Sequence, residues 1–237
     1  MKEFGVADSE LKKVIRESLG LKNEIMSPAD KIDEAYVTQA KKFTLSTEFL
    51  SDKSKRAHYE LFNGYVDSLN KISAELDAAD RENANANDSI FRSLKIDEID
   101  NLNASFLHGL FFENISDLHS ELTMDSITFM RLERDFGTFD AWQKDFIACA
   151  MSSRNGWAVT VYNTFLQRYI NVCVDLDSAN IPFSSFPIIV VDCWEHSYYR
   201  DYLNDRKTYV FAMMKELAWD VIEKRVKQAE KIGKISR

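Results

Sequence analysis

Cysteine is scarce: Cys149, Cys173 and Cys193 are odd in number and form no CxxC pair among the 237 residues. This argues against a disulfide framework and against a thiolate zinc site, and the three thiols read as small buried hydrophobes. Glycine, with 7 residues, and proline, with 3, are also rare, which excludes collagenous and low-complexity classes. Long apolar runs are missing. The longest aliphatic stretch, Ile188 to Val191, falls far short of the roughly 18 residues that cross a bilayer, and the opening MKEFGVADSELKK lacks the apolar core of a secretory signal. Positive charge is not in excess either. With 30 basic against 38 acidic residues the net charge is -8, so the field that holds a phosphate backbone is absent and nucleic acid is not expected as a main partner. The expectation is a soluble, intracellular protein, cytoplasmic by default, with no membrane partner.

What is present is the composition of a globule, with 45% hydrophobic and 29% charged residues. Residues 1 to about 45 read as two short amphipathic helices. Leu11, Val14, Ile15 and Leu19 recur at helical spacing up to Gly20, and Ser27-Pro28 forms a cap and first turn ahead of Ile32, Ala35 and Tyr36. From Ser51 a long helix carries the apolar stripe Tyr59, Phe62, Val66, Leu69, Ile72 and Leu76. The polar tract DAADRENANAND, residues 77 to 88, ends it. A second helical stretch, with an interruption near Lys95 as an alternative, runs from Ile90 through Leu102, Phe106, Leu110 and Ile115. Two long helices around one polar loop predict an antiparallel hairpin.

The texture then changes. A helix from about Met124 ends at Gly137, and Thr138 caps another from Phe139 to about Ser152. Three stretches rich in β-branched and aromatic residues follow, Trp157–Tyr162, Tyr169–Val174 and Pro187–Val191, and the short turns between them predict an antiparallel meander. Helical segments near Arg206–Trp219 and Asp220–Ala229 close the chain. The fold class is α+β: a long antiparallel helical hairpin, then a mixed region with a three-stranded antiparallel sheet and helices. The expected division is a helical extension over 1–45, a hairpin domain over 46–118 and a C-terminal metal-binding α/β domain over 119–237.

Only four histidines exist, His58, His108, His119 and His196. Imidazole with carboxylate is a donor set that suits iron and manganese among other ions. In VVDCWEHSYYRDY, Asp192 ends the aliphatic strand and His196 follows four residues later, so a rigid element delivers two candidate ligands to one side. His119, after Asp117 in a polar loop, reads as a solvated residue.

DCWEHSYYRDYLNDRKTYV resembles the signature of the iron and manganese superoxide dismutases, D-x-W-E-H followed by a small residue, two tyrosines and D-Y. The likeness continues through LAWDVIEKR downstream and through FGTFDAWQKDFIACAMSSRNGWAV, LHGLFFENIS and YVDSLNKI upstream, spanning roughly Phe49 to Arg225. It implies the fold of that family and an enzyme that disproportionates superoxide at one iron or manganese ion per chain. It implies His108, Asp192 and His196 as metal ligands. The fourth ligand of the family lies eight residues before its active-site tyrosine; counted back from Tyr65 this reaches Ala57, whereas His58 lies seven before. Seven residues at 100° return His58 to within about 20° of Tyr65 on a straight helix, and His58 is the favoured assignment if the longer spacing reflects one widened turn.

The resemblance further implies Tyr65 at the substrate channel, with Trp157, Trp194 and Phe112 as an aromatic shell around the ion. It implies a homodimer in which Glu195 bonds to His196 of a partner subunit. Two departures stand out. The family sets a hydrogen-bond donor, usually glutamine, over the open side of the metal from one of two positions, which read Ala104 and Ala179 here; small gaps would bring in Asn103 or Asn180. The family's channel histidine is replaced by Phe62, or by Leu61 in the ungapped reading. These departures leave a second reading, because chains of this kind also serve in mitochondrial ribosomes: a catalytically inactive structural component of a larger assembly, a ribosome-like or virion particle.

Overall fold

The structure, a computed structural model, describes residues 35–115 and 120–235. The expected helix around Leu11–Leu19, the start of the one after Ser27 and the polar-loop reading of His119 lie outside those residues. Where the second of those helices continues into the described chain, the expectation fails: Ala35 and Tyr36 are not helical. The Tyr36 backbone N–H bonds to Ser73 Oγ at 3.3 Å and that of Thr38 to Asn70 Oδ1 at 2.7 Å. Bonds to another element's side chains thus replace the intrahelical ladder.

Helix α1, Asp52–Asp77, starts where Ser51 Oγ accepts from Ser54 N. Its buried face is Ser54, His58, Phe62, Val66, Leu69, Ser73 and Leu76, a stripe at steps of three and four. Ser73 takes the place on this face expected of Ile72, because its hydroxyl donates to Tyr36 O at 2.8 Å. In the connecting loop, Asp80 Oδ1 accepts from Glu82 N and Asn83 N, and Asn85 Oδ1 from Asn87 N and Asp88 N. Ser89 then caps α2, Ile90–Asn114. This helix has no interruption at Lys95, whose ammonium pairs one turn on with Glu98 at 3.1 Å. The two helices run antiparallel: Tyr65 meets His108 while His58 meets Phe112. Phe43, Phe62 and Phe112 interlock edge to face, with centroids 5.4–5.8 Å apart.

Helix α3, Ile127–Phe136, ends on Gly137 at φ 88°, which only glycine adopts without strain, and Thr138 caps α4, Phe139–Ser152. The strands are β1, Gly156–Asn163, β2, Arg168–Asp175, and β3, Ser185–Asp192. All pairings are antiparallel, but the order is β2-β1-β3. The expected meander is therefore wrong: β1 is central and buried at all eight positions, while β3 returns to its far side. Pro187, lacking a donor, is tolerated because β3 is an edge strand with a register shift opposite Thr160 and Val161. A Cβ on Gly156 would lie 1.9 Å from Val174 O, so the pairing of β1 with β2 needs glycine there.

Helices α5, Glu195–Tyr202, α6, Arg206–Lys215, and α7, Trp219–Ile235, complete the described chain. Arg225 of α7 binds Asn114 Oδ1, Ile188 O, Leu110 O and Glu113 Oε2, and Asn114 Nδ2 donates to Val190 O at 2.8 Å. This buried network fixes the C-terminal end of α2 against β3, and so His108 against Asp192. Among the described residues no helix is long and apolar enough to cross a membrane.

Candidate metal centre

Four side chains from four elements converge. His58 comes from the buried face of α1, His108 from α2, Asp192 from the last position of β3 and His196 from the first turn of α5. Asp192 Oδ2 lies 3.0 Å from His58 Nε2, 3.1 Å from His196 Nε2 and 3.6 Å from His108 Nε2. One donor atom from each residue lies within 4.8 Å of every other. Helix α1 is regular throughout, so the seven-residue step from His58 to Tyr65 keeps both on one side, and Ala57 has no donor to offer.

The carboxylate is held at both ends. Asp192 Oδ1 accepts the Trp194 backbone N–H at 2.8 Å, and Asp192 O accepts the Tyr209 hydroxyl at 2.8 Å. Burial opposes its charge, but the imidazoles of His196 and His58 outweigh burial and hold its pKa well below the usual carboxylate range. Burial also disfavours the charged imidazoles: His58 is lowered, and His108, with His58 beside it, is lowered to about 3. His196, whose side chain retains 27% of its accessible surface, is raised because the field and hydrogen bond of Asp192 exceed the cost of burial.

The tautomer of His108 tests whether an ion fits. Its Nδ1 donates to Ala104 O at 2.7 Å, which leaves Nε2 as a bare lone pair, buried and without a hydrogen-bond partner. Such an atom is costly in a protein interior unless a hydrogen-bond donor or a cation takes it up, and three further donor atoms beside it suit a cation. Two bonds of about 2.2 Å each span at most about 4.4 Å, so a small inward movement from the observed spacing brings all four donors onto one ion. Three nitrogens and one oxygen, with no thiolate, match iron and manganese among the transition metals.

Aromatic rings enclose the cluster. Trp157 meets His108 edge-on at 4.8 Å, Tyr65 packs on His108 at 5.2 Å, Trp194 stacks on His196 at 5.8 Å and Phe112 meets His58 at 5.0 Å. The Tyr65 hydroxyl is pushed up to about 12 by burial and by the charges of Asp177 and Asp192, so it stays protonated. A groove of about 460 Å³ opens beside His58 and His196, lined also by Ala57, Leu61, Glu195, Tyr199 and Arg200. Of the two readings for the replaced channel histidine, Leu61 lines this groove, while Phe62 is buried in the core.

Among the suspected outer positions, Ala104 contributes its carbonyl to His108, and Ala179 is used in a backbone bridge to Asp175. Asn180 is exposed and reaches Asp175 at 3.4 Å. Sequence reasoning missed Asp177. Its buried carboxyl accepts the Trp157 indole N–H at 2.9 Å. The signal available was weak, one acidic residue inside the turn sequence DLDSAN.

Residues 126–225 match the family model described as the C-terminal domain of iron/manganese superoxide dismutases. The chain is 33% identical over 188 residues to a protein of Aquifex pyrophilus named superoxide dismutase [Fe], an alignment covering 78% of this chain and 87% of that protein. A protein of the same name from Cupriavidus metallidurans is 32% identical over 173 residues, 72% of this chain and 85% of its own length. A superoxide dismutase [Mn] of Haloferax volcanii is 37% identical over 123 residues, 52% of this chain and 61% of its own length.

Proposed function

The chain belongs to the iron/manganese superoxide dismutase family, and from that membership we propose that it disproportionates superoxide to dioxygen and hydrogen peroxide at one iron or manganese ion held by His58, His108, Asp192 and His196. When bound, iron or manganese supplies a couple of two oxidation states one electron apart, which zinc lacks. The chain's own residues do the rest. His58 and His108 offer neutral imidazoles, their protonation suppressed by burial, and Asp192 brings a full negative charge that stabilises a cation. Trp157, Trp194 and Phe112 exclude water from the donors. Tyr65 retains a hydroxyl proton beside the site. Arg200 adds positive charge to the groove beside His58 and His196, which favours the approach of an anion to a chain of net charge -8.

One observation carries this reading: four donor atoms meet within 4.8 Å around a buried, unpartnered His108 Nε2. The reading extends to a homodimer in which Glu195, exposed at the groove beside His196, bonds to His196 of a partner subunit. Sedimentation of the native protein tests that part. Protein purified without chelators should carry about one iron or manganese per chain and remove superoxide, and His196→Ala should lose both. A folded native chain without either metal would instead favour the structural-component reading, which the replacements at Leu61 and Ala179 support.

A further inference from the structure

The end of the sheet opposite Asp192 presents apolar side chains to solvent. Phe165, between β1 and β2, is 86% exposed, and Phe183, just before β3, is 97% exposed. Leu166 beside the first and Ile235 at the end of α7 are exposed as well. Helix α7 reaches this end of the sheet, since a Cβ on Gly233 would lie 2.8 Å from the Tyr162 ring. One buried side chain clamps both phenylalanine loops. Asn163 Oδ1 accepts from Leu166 N at 2.9 Å, and its Nδ2 donates to Phe183 O at 3.0 Å and to Ser185 Oγ at 2.8 Å. Thr164 N adds a bond to Ser184 O at 2.8 Å. Two rings fixed outside the core in neighbouring loops keep their apolar surface in water, which marks a surface that meets a partner.

The charge beside these tips is positive. Arg168, Lys231 and Lys234 are exposed. The carboxylates that bind Tyr169 at this end, Asp135 and Glu230, are already held by Arg134 at 2.7 Å and by Arg131 at 2.6 Å. We propose that this end of the sheet docks on a lipid surface with anionic headgroups, Phe165 and Phe183 entering the acyl boundary while Arg168, Lys231 and Lys234 meet the headgroups. Charge selects the occupant. A second copy of the chain would set the same cations against each other across a two-fold axis, whereas an anionic bilayer complements them locally although the whole chain carries -8. Aliphatic Leu166 and Ile235 among the tips suit acyl chains better than the flat bases of a single strand. The expectation of no membrane partner rests on the missing apolar run, and a loop tip enters the interface without spanning it. The metal centre, at the other end of β3, is left free.

Cosedimentation of the full chain with vesicles tests this. At low salt the native protein should bind vesicles of equal parts phosphatidylcholine and phosphatidylserine, and bind phosphatidylcholine alone more weakly. Phe165→Ser combined with Phe183→Ser should bind the mixed vesicles at least about tenfold more weakly. Lys231→Gln combined with Lys234→Gln should lose about fivefold per charge. Circular dichroism and metal content should be unchanged in both variants, since neither alters the core or a donor to the ion. Native protein that stays in solution beside the mixed vesicles would overturn the proposal, as would equal binding by the phenylalanine variant. Tighter binding to single-stranded oligothymidylate than to vesicles, or self-association lost with the two rings, would overturn it in favour of nucleic acid or of a second copy.

Discussion

Trp157 and Asp192 are paired across the ladder of β1 and β3. One rung of the sheet thus holds both the ring that covers His108 and the carboxylate to which three imidazoles point. The aromatic wall and the charged ligand cannot shift independently, because the pairing of the two backbones fixes their separation.

Removing a ligand should therefore empty the site without unfolding the chain. In His108→Ala and His196→Ala the ion content is expected to fall from about one per chain to less than a tenth of that, while far-ultraviolet circular dichroism stays native. Stripping the native protein with a chelator should lower its melting temperature, since a ligand at a thousand times its Kd stabilises by about 4 kcal/mol. Metal analysis and calorimetry read both effects.

Acid should act through His108. Its folded pKa of about 3 lies below the ordinary imidazole value, so the unfolded chain binds more protons as pH falls. Stability is full above about 6.5 and is progressively lost down to about pH 3, by a few kcal/mol in all. Asp192, held low, adds a loss below the ordinary carboxylate range. His196, raised, works the other way: its contribution is full below the ordinary imidazole value and fades as pH rises through its folded pKa. Urea titrations of chelated protein between pH 7 and 4 should show this net decline, and His108→Gln, which cannot take up a proton, should show a shallower one.

Gly156→Ala should destabilise by about 1–3 kcal/mol, because the added carbon would meet Val174 O at 1.9 Å. The strands must part locally, and Trp157 is the next residue. Chemical denaturation measures the loss, and a weaker hold on the ion should accompany it.

Arg225→Met should cost about 3–5 kcal/mol, since Asn114 Oδ1, Ile188 O and Leu110 O all lose a donor inside the core. Lysine should not rescue it, as one ammonium cannot reproduce a planar fork on four acceptors. Equilibrium unfolding of Arg225→Met and Arg225→Lys provides the comparison.

The parts of this architecture that follow local rules were legible in the sequence. Thr138 caps the helix it was expected to cap, the helices expected from about Ser51 and Ile90 start at Asp52 and Ile90, and the motif around Asp192 and His196 marked both residues. His58 could be chosen over Ala57 because a regular helix makes angular position a matter of counting. The strand order was not legible, since short connections do not say on which side of β1 a later strand returns. Tyr36 was misplaced on a helix because the side chains of Ser73 and Asn70, distant in sequence, satisfy the backbone there. Asp177 was missed for a similar reason. It sits in a turn with two left-handed non-glycine residues, where no periodicity relates one position to another, and the family's spacing points to Ala179, two residues away.

The bond from His108 Nδ1 to Ala104 O has a consequence for how this centre is made ready. The acceptor belongs to the main chain one turn back in the same helix, so no substitution of the Ala104 side chain removes the accepting oxygen. The orientation of this imidazole is consequently settled as α2 winds, before any encounter with a cation. Preparation for capture is an inherited property of the helix, and short of replacing His108 itself a mutation reaches it only by disturbing the winding.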